Sequence, residues 1–204
     1  MTENGYFKFS DQHATEIMGY PIDPAWWSRH YEYPWALSYA EAGQVVADMG
    51  AGWTPRPFKD ALAALGCQVY AVDGDERLLE LEERPGIELV YADMTKPIEA
   101  IEDGSLDRVF CISVLEDVGD KVPLALKEFH RRLKPGGLCV LTFDVKYRDD
   151  KPLGPYPGVN YYTFSDSVFQ AGFEWRDKID LGKKKAVYHQ EFNLCVFHCI
   201  LRKP

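Results

Sequence analysis

A glycine turn followed one helix later by a carboxylate is the feature of this sequence best suited to binding a ligand. Gly50 and Gly52 follow the apolar run 45–47. Because glycine has no Cβ, the backbone can turn sharply there and approach a ligand closely. Asp73 ends the next apolar run, 67–72, where a carboxylate can accept hydrogen bonds from both hydroxyls of a ribose. The spacing predicts a nucleoside site, and the alternative is a tight strand-to-helix turn that binds nothing.

These residues require a strand, a turn, a helix and a second strand, in that order. Residues 45–47 are the short apolar run expected of a buried parallel strand. Pro55 and Pro57 favour the first turn of a helix, and Gly66 favours its end. In a doubly wound sheet the carboxyl ends of the strands face the ligand crevice. We therefore expect Asp73 to lie at that crevice.

The glycine pattern also separates two kinds of nucleoside cofactor. A dinucleotide site has a third glycine, in the pattern G-x-G-x-x-G. Pro55 stands at that position instead and has no amide hydrogen to offer a phosphate. This disfavours a nicotinamide-dependent oxidoreductase, which is kept as an alternative function. The segment instead resembles the first motif of class I S-adenosylmethionine-dependent methyltransferases, acidic-x-Gly-x-Gly, which Asp48, Gly50 and Gly52 match. Thr54 replaces the third glycine that is frequent in that family.

The resemblance extends over residues 44–202 and includes a helix, an LKPGG turn and a strand within 129–143. It implies an α/β fold: a three-layer Rossmann-like sandwich with a seven-stranded, mostly parallel sheet whose last strand is antiparallel. It also implies an S-adenosylmethionine site built from the glycine loop, the acidic ends of the second and third strands, and the segment after the fourth strand. The corresponding positions are Asp48, Gly50, Ala51, Gly52, Asp73, Gly74, Asp93, Met94 and Ser113.

Residues 1–43 precede the first predicted strand and are expected to lie outside the sheet, so we divide the chain into this extension and a cofactor-binding methyltransferase domain, 44–204. Within the extension, Ser10 or Asp11 is expected to cap a helix through Met18. Asp23, followed by proline, marks the start of a second helical stretch.

The extension is also rich in tryptophan and tyrosine, which allows two interpretations. Its helices could simply bury these rings against the domain. They could instead form a helical lid over the cofactor, with Arg29 and Tyr33 reaching the methionine end, since aromatic faces suit a sulfonium cation.

The acceptor of the methyl group is less clearly marked. A hydroxyl or ammonium acceptor must lose a proton, for which a general base is useful. His30 and Glu116 are the candidates, although neither lies in a diagnostic motif, and Asp117 stands where many relatives carry histidine. The loop 144–162 is either functional or a plain connection. We expect the protein to be an enzyme that methylates a small molecule. The alternative is a non-catalytic module that binds the cofactor or a partner.

Composition narrows the class of protein further. The formal net charge of −9 argues against a nucleic-acid or anionic-membrane partner. No apolar run or leader pattern predicts a membrane span, and five scattered cysteines do not suggest disulfides, so we expect a cytoplasmic protein. Cys195, His198 and Cys199 are close in sequence, but in a strand the histidine would point away from both cysteines, so no metal site is expected. The oligomeric state is left open.

Overall fold

The computed structural model describes residues 4–54, 56–152 and 158–204. In chain order, its strands are β1 (Gly5–Tyr6), β2 (Glu16–Ile17), β3 (Tyr20–Pro21), β4 (Val45–Met49), β5 (Gln68–Asp73), β6 (Ile87–Tyr91), β7 (Leu106–Ile112), β8 (Leu133–Lys146), β9 (Glu174–Trp175), β10 (Tyr188–His189) and β11 (Leu194–Arg202). The α-helices are α1 (Arg29–Leu37), α2 (Pro57–Ala64), α3 (Val122–Arg132) and α4 (Tyr161–Gln170), and two 3₁₀ helices span Glu76–Glu80 and Leu115–Lys121.

The main sheet runs in the order β1-β11-β8-β7-β4-β5-β6, and β9 and β10 also pair with β11. The strands β4 to β8 pair in parallel, whereas β11 runs antiparallel to β8. This arrangement confirms the predicted Rossmann-like fold with an antiparallel last strand. Among the described residues the sheet has nine strands rather than seven: six longer strands, β4 to β8 and β11, and three short segments, β1, β9 and β10, that pair with β11.

Side chains alternate between the two faces of the sheet, and each face carries its own apolar core. On β8, Leu141 and Phe143 join the core beneath α3 and α4, whereas Leu138 and Val140 join the core shared with α1 and α2. Towards the carboxyl end of β8, the second set continues as Thr142 and Asp144, so that face changes from apolar to polar where a ligand would bind.

Two expectations for the N-terminal extension are wrong. The helix expected through Met18 is a hairpin, in which β2 and β3 are joined by Met18 and Gly19 with φ of 49° and 82°. Two successive positive φ values fit a tight hairpin turn and not a helix. Residues 1–43 also do not all lie outside the sheet, because β1 pairs antiparallel with β11. The domain boundary at residue 43 stays a prediction.

Several element boundaries also differ from expectation. The second N-terminal helix begins only at Arg29, although Asp23 does accept a hydrogen bond from the Ala25 N–H, as a turn residue would. Asn160 caps α4 with its side chain. After α4 the chain forms only the two-residue strand β9. Pro55 and part of the 144–162 loop, residues 153–157, lie outside the described residues.

Two further searches cover only the described parts of the chain. No helix there has the length and apolar character needed to cross a bilayer. No group of three or more histidine, cysteine or acidic side chains there is arranged to hold a metal ion. The ring of His198 packs against Phe7 and Trp35 in the second core, whereas Cys195 and Cys199 lie in the first core, so the strand alternation expected for these residues is confirmed.

Candidate functional site

The glycine loop leaves the carboxyl end of β4 in a backbone conformation that favours glycine. Gly50 and Gly52 have φ of 81° and 71°, and the N–H groups of Gly50 and Ala51 both donate to the Val72 carbonyl. A Cβ on Gly50 would lie 2.5 Å from a methyl carbon of Val114. Glycine is therefore required at Gly50 by the fold itself, because both the positive φ and the packing exclude a side chain.

Asp73, at the carboxyl end of β5, is held by the backbone on both sides. Its Oδ2 accepts a hydrogen bond from the Gly52 N–H at 2.8 Å, and its Oδ1 accepts one from the Asp75 N–H, beyond Gly74, at 2.9 Å. Each carboxylate oxygen has a second lone pair, so both can still accept a ligand hydroxyl. The predicted ribose acceptor is thus preorganised next to the glycine loop.

Two buried charged residues, Asp48 and Lys59, lie close to the loop in sequence and in space. Burial raises the pKa of Asp48 to about 6, and Lys59 is the main group that opposes this rise. The Lys59 ammonium donates to the carbonyls of Ala51 and Thr54 at 3.2 and 3.4 Å. Lys59 therefore fixes the loop backbone through these hydrogen bonds, and its charge favours the ionised form of Asp48.

Arg56 supplies an unsatisfied hydrogen-bond donor at the same place. Its side chain lies against Gly52, and its Nε is buried without a hydrogen-bond partner among the described residues. A buried guanidinium donor without a partner carries a desolvation cost that an anionic ligand group would relieve. The loop therefore fits a ligand that combines ribose hydroxyls with a carboxylate, as S-adenosylmethionine does.

The acidic residue after β6 is already engaged within its own turn. Asp93 Oδ1 accepts hydrogen bonds from the N–H and the hydroxyl of Thr95, and these lower the pKa of Asp93 to about 2. Met94 is buried in the first core. Asp93 lies at the same edge of the sheet as Asp73, because the Ala92 N–H donates to the Asp73 carbonyl.

Helix α1 is fixed to the carboxyl ends of β7 and β8 by a buried polar network. Its centre is Glu32, which is fully buried. Glu32 accepts hydrogen bonds from Arg29 at 2.8 Å, from the Ser113 hydroxyl at 2.7 Å and from the Thr142 hydroxyl. Burial alone would lower the pKa of Arg29, but Glu32 more than reverses this effect and the pKa is raised. Arg29 and Ser113, two predicted cofactor residues, therefore meet in one network.

The other predicted residues of α1 face elsewhere. Tyr33 stacks on Phe58 of α2 with ring centroids 5.2 Å apart, and burial raises its pKa to about 12. His30 donates from Nδ1 to the Ala14 carbonyl at 2.9 Å, which ties α1 to the preceding segment. His30 is not among the residues that line the cavity described next, whereas Glu116 is.

A cavity of about 340 Å³ opens beside this network. Its polar lining comes from the start of α1, the segment after β7 and the end of β8: Arg29, Ser113, Glu116, Asp117 and Asp144. Its other wall is largely aromatic and comes from the segment before α1 and the hairpin between β10 and β11: Trp26, Trp27, His189 and Phe192.

The acidic residues of this cavity titrate abnormally. Burial, followed by the nearby Asp144, raises the pKa of Glu116 well above its usual value. Burial, followed by Glu32, raises the pKa of Asp144 to about 7. Glu116 Oε2 and Asp144 Oδ1 are both buried without a hydrogen-bond partner among the described residues. A buried carboxyl group whose pKa is raised to about 7, as that of Asp144 is, is suited to accepting a proton near neutral pH.

Sequence reasoning missed Arg56 and Asp144. It also missed the aromatic residues His189 and Phe192 of the β10–β11 hairpin. For Asp144 a signal was present, since Thr142 and Asp144 are two polar residues at alternate positions near the end of an apolar strand. Arg56 has no such signal, because its role depends on the side chain folding back over Gly52.

Comparison with known proteins agrees with this geometry. Residues 47–141 match the family model described as a methyltransferase domain. A search of curated protein sequences found no match. The match shows a methyltransferase domain within residues 47–141. Together with the motifs it supports an enzyme of the class I methyltransferase type whose cofactor is S-adenosylmethionine rather than a nicotinamide.

Solved structures with the same fold include three of different kinds. The [4+2]-cyclase SpnF has a TM-score of 0.70 at 16% identity, covering 99% of this chain and 87% of that chain. A TehB-like S-adenosylmethionine-dependent methyltransferase from Corynebacterium glutamicum has a TM-score of 0.61 at 20% identity. The alignment covers 85% of this chain and 87% of that chain. Phosphoethanolamine N-methyltransferase 2 from Haemonchus contortus, in complex with phosphomonomethylethanolamine and S-adenosylhomocysteine, has a TM-score of 0.64 at 17% identity, covering 87% and 53%.

Proposed function

We propose that this protein transfers the methyl group of S-adenosylmethionine to a nitrogen or oxygen atom of a small molecule bound in the cavity. The observation that carries the proposal is the position of the cavity, whose lining includes Ser113 and Glu116 at the sheet edge where the glycine loop lies. A volume of about 340 Å³ suits a small metabolite rather than a polymer. The net charge of −9 likewise disfavours a nucleic-acid substrate, and we place the protein in the cytoplasm.

The cofactor is proposed to bind across the carboxyl ends of β4, β5 and β6. Asp73 would accept the ribose hydroxyls, and Asp93 would lie beside the adenine. The backbone of Gly50 and Gly52 would face the methionine part, whose carboxylate Arg56 is placed to receive. Arg29, which was expected to reach the methionine end of the cofactor, is held by Glu32 and is assigned a positioning role.

The sulfonium of the bound cofactor supplies a methyl group that is already activated, so the protein needs mainly to position the acceptor. Orientation and the exclusion of water can contribute about 7–11 kcal/mol to lowering the barrier. Trp26 and Trp27 cover the cavity on the side of the N-terminal segment, and Glu116 and Asp144 provide a proton acceptor. These roles require no metal ion.

The test is incubation of the purified protein with deuteromethyl-labelled S-adenosylmethionine and a metabolite mixture, followed by mass spectrometry. We expect S-adenosylhomocysteine to accumulate only with an acceptor present, together with a product that carries the label. An Asp73→Asn variant provides the matched control of lowered cofactor affinity. Tight binding of S-adenosylhomocysteine without a labelled product would instead support a non-catalytic binding module.

A further inference from the structure

The aromatic wall of the cavity joins two segments that are distant in sequence. Trp27 contacts His189 edge to face, with ring centroids 5.7 Å apart, and His189 stacks on Phe192 at 4.0 Å. His189 Nδ1 accepts a hydrogen bond from the Phe192 N–H, so the neutral ring carries its proton on Nε2. The rings therefore stand opposite the carboxylates as an assembled wall.

Acidic side chains outnumber basic ones around the cavity. Glu116 and Asp117 come from the 3₁₀ helix after β7, Asp144 comes from β8, and Arg29 comes from α1. Arg29 is already paired with Glu32 at 2.8 Å.

No other nearby group among the described residues adds enough positive charge to the lining to balance these acidic side chains. Arg56 opposes the raised pKa of Asp117 but is not part of the lining, and His189 is the one other titratable lining group among the described residues. With Arg29 paired to Glu32, the described part of the lining presents three carboxyl groups to a ligand and no unpaired permanent cation.

From this imbalance we infer that the acceptor is a small amine, bound as its ammonium ion between the carboxyl groups of Glu116 and Asp144 and the rings of Trp26 and Trp27. The inference rests on the proposed function and specifies its substrate class. An ammonium would donate to the two buried oxygens that otherwise have no partner, and its charge would be attracted to the tryptophan faces. A neutral alcohol would satisfy the oxygens less strongly, and a carboxylate would gain no attraction from the acidic lining or from the tryptophan faces.

The chemistry balances within the groups named. The ammonium first transfers one proton to the carboxylate of Asp144, which leaves a neutral amine with a free electron pair. That pair then forms the new nitrogen–carbon bond as the carbon–sulfur bond of the cofactor breaks, and the electrons of the broken bond remain on sulfur. The product is a methylated ammonium ion beside neutral S-adenosylhomocysteine. The proton on Asp144 leaves to solvent when the product departs.

Binding can be tested without turnover by calorimetry on the protein saturated with S-adenosylhomocysteine. The probes are phenethylamine and tryptamine, each compared with its matched alcohol, 2-phenylethanol or tryptophol. We expect each amine to bind about 10- to 100-fold more tightly than its alcohol, because charged hydrogen bonds replace neutral ones. Titration in two buffers of different ionisation enthalpy should show proton release on amine binding.

Matched variants separate this recognition from general damage. Glu116→Gln combined with Asp144→Asn should remove the preference for amines and the proton release, while the affinity for S-adenosylhomocysteine stays unchanged. Asp150→Asn, which changes an exposed carboxylate paired with Arg148, should alter neither. If both amines bind no more tightly than their alcohols, or if the double variant keeps the preference, the inference is wrong.

The methyl-transfer assay then distinguishes the two proposals. A labelled product formed only from hydroxyl acceptors would overturn the amine inference and leave the proposed function intact. Selective amine binding without a labelled product would support the inferred recognition and count against catalysis.

Discussion

Replacing Glu32 should destabilise the protein more than any other single change in α1. The carboxylate of Glu32 is fully buried and accepts hydrogen bonds from Arg29, Ser113 and Thr142, which belong to three different elements. In a Glu32→Ala variant the guanidinium of Arg29, which has only 17% of its side chain exposed, would lose its counter-ion. An uncompensated charge in that position is the main source of the expected cost.

The magnitude follows from this burial. Removing one partner of a buried ion pair costs about 3–5 kcal/mol. For a protein of this size each kcal/mol lowers Tm by about 2–4 °C, so the expected decrease in Tm is about 6–20 °C. Glu32→Gln keeps an acceptor for the two hydroxyls and should cost less than Glu32→Ala.

Thermal and urea unfolding followed by circular dichroism would measure the change. Glu83→Gln, an exposed position, is the control and should leave the free energy of unfolding nearly unchanged. Arg29→Met should cost less in the Glu32→Ala background than in the wild type, since the charge it removes is already unpaired. A decrease in Tm of about 2 °C or less for Glu32→Ala would refute the reasoning, because it corresponds to 1 kcal/mol or less.

Four further predictions concern the site. Asp73→Asn should weaken S-adenosylhomocysteine binding about 10- to 100-fold by calorimetry, since hydroxyls lose a charged acceptor, whereas Asp75→Asn on the same loop should change it little; equal effects would contradict the ribose assignment. Gly50→Val should both lower Tm by several degrees and abolish cofactor binding, because the side chain meets Val114, and the exposed Gly136→Val is its control for a positive φ alone; normal binding by Gly50→Val would reduce the loop to a structural turn. Asp144→Asn should be more stable than wild type at pH 8 and equally stable near pH 4. The pKa of Asp144 is about 7 in the folded protein and lower in the unfolded chain, so the stability of the wild type falls as the pH rises between these two values. Urea titrations that give the same difference in stability at both pH values would contradict the raised pKa. Hydrogen exchange should show cofactor-induced protection at residues 24–28 and 48–54, with α1 slow in either state; protection absent from 24–28 would contradict a covering role for that segment.

The strands and the turn around the glycine loop could be predicted from the sequence, because the signals for them are local. The run before Gly50 and the run ending at Asp73 each have a length and composition typical of a buried strand, and β4 and β5 follow them closely. The positions of Gly50, Gly52 and Asp73 around one loop follow directly from those strands. The grouping of these three residues was therefore predictable, and their role in binding the cofactor stays a prediction.

The lining of the cavity was not predictable, because its parts meet only through long-range contacts. Trp27 and His189 are far apart in sequence and touch only once β10 has folded against β11. Asp144 lies in a segment interpreted as a loop, and its alternation with Thr142 becomes informative only when the strand is known to extend that far. The hairpin at Met18 and Gly19 was missed because a capping pattern was given more weight than the glycine turn.

The three short segments beside β11 have a consequence for handling the protein in solution. Strand β11 is buried along nearly its whole length, and it would be a long apolar sheet edge if β1, β9 and β10 did not pair with it. Exposed edges of that kind recruit strands from other molecules and promote aggregation. An expression fusion or proteolytic cut that displaces β1 would uncover the backbone of β11 at Phe197 and His198, turning a catalytic domain into a seed for intermolecular β-pairing.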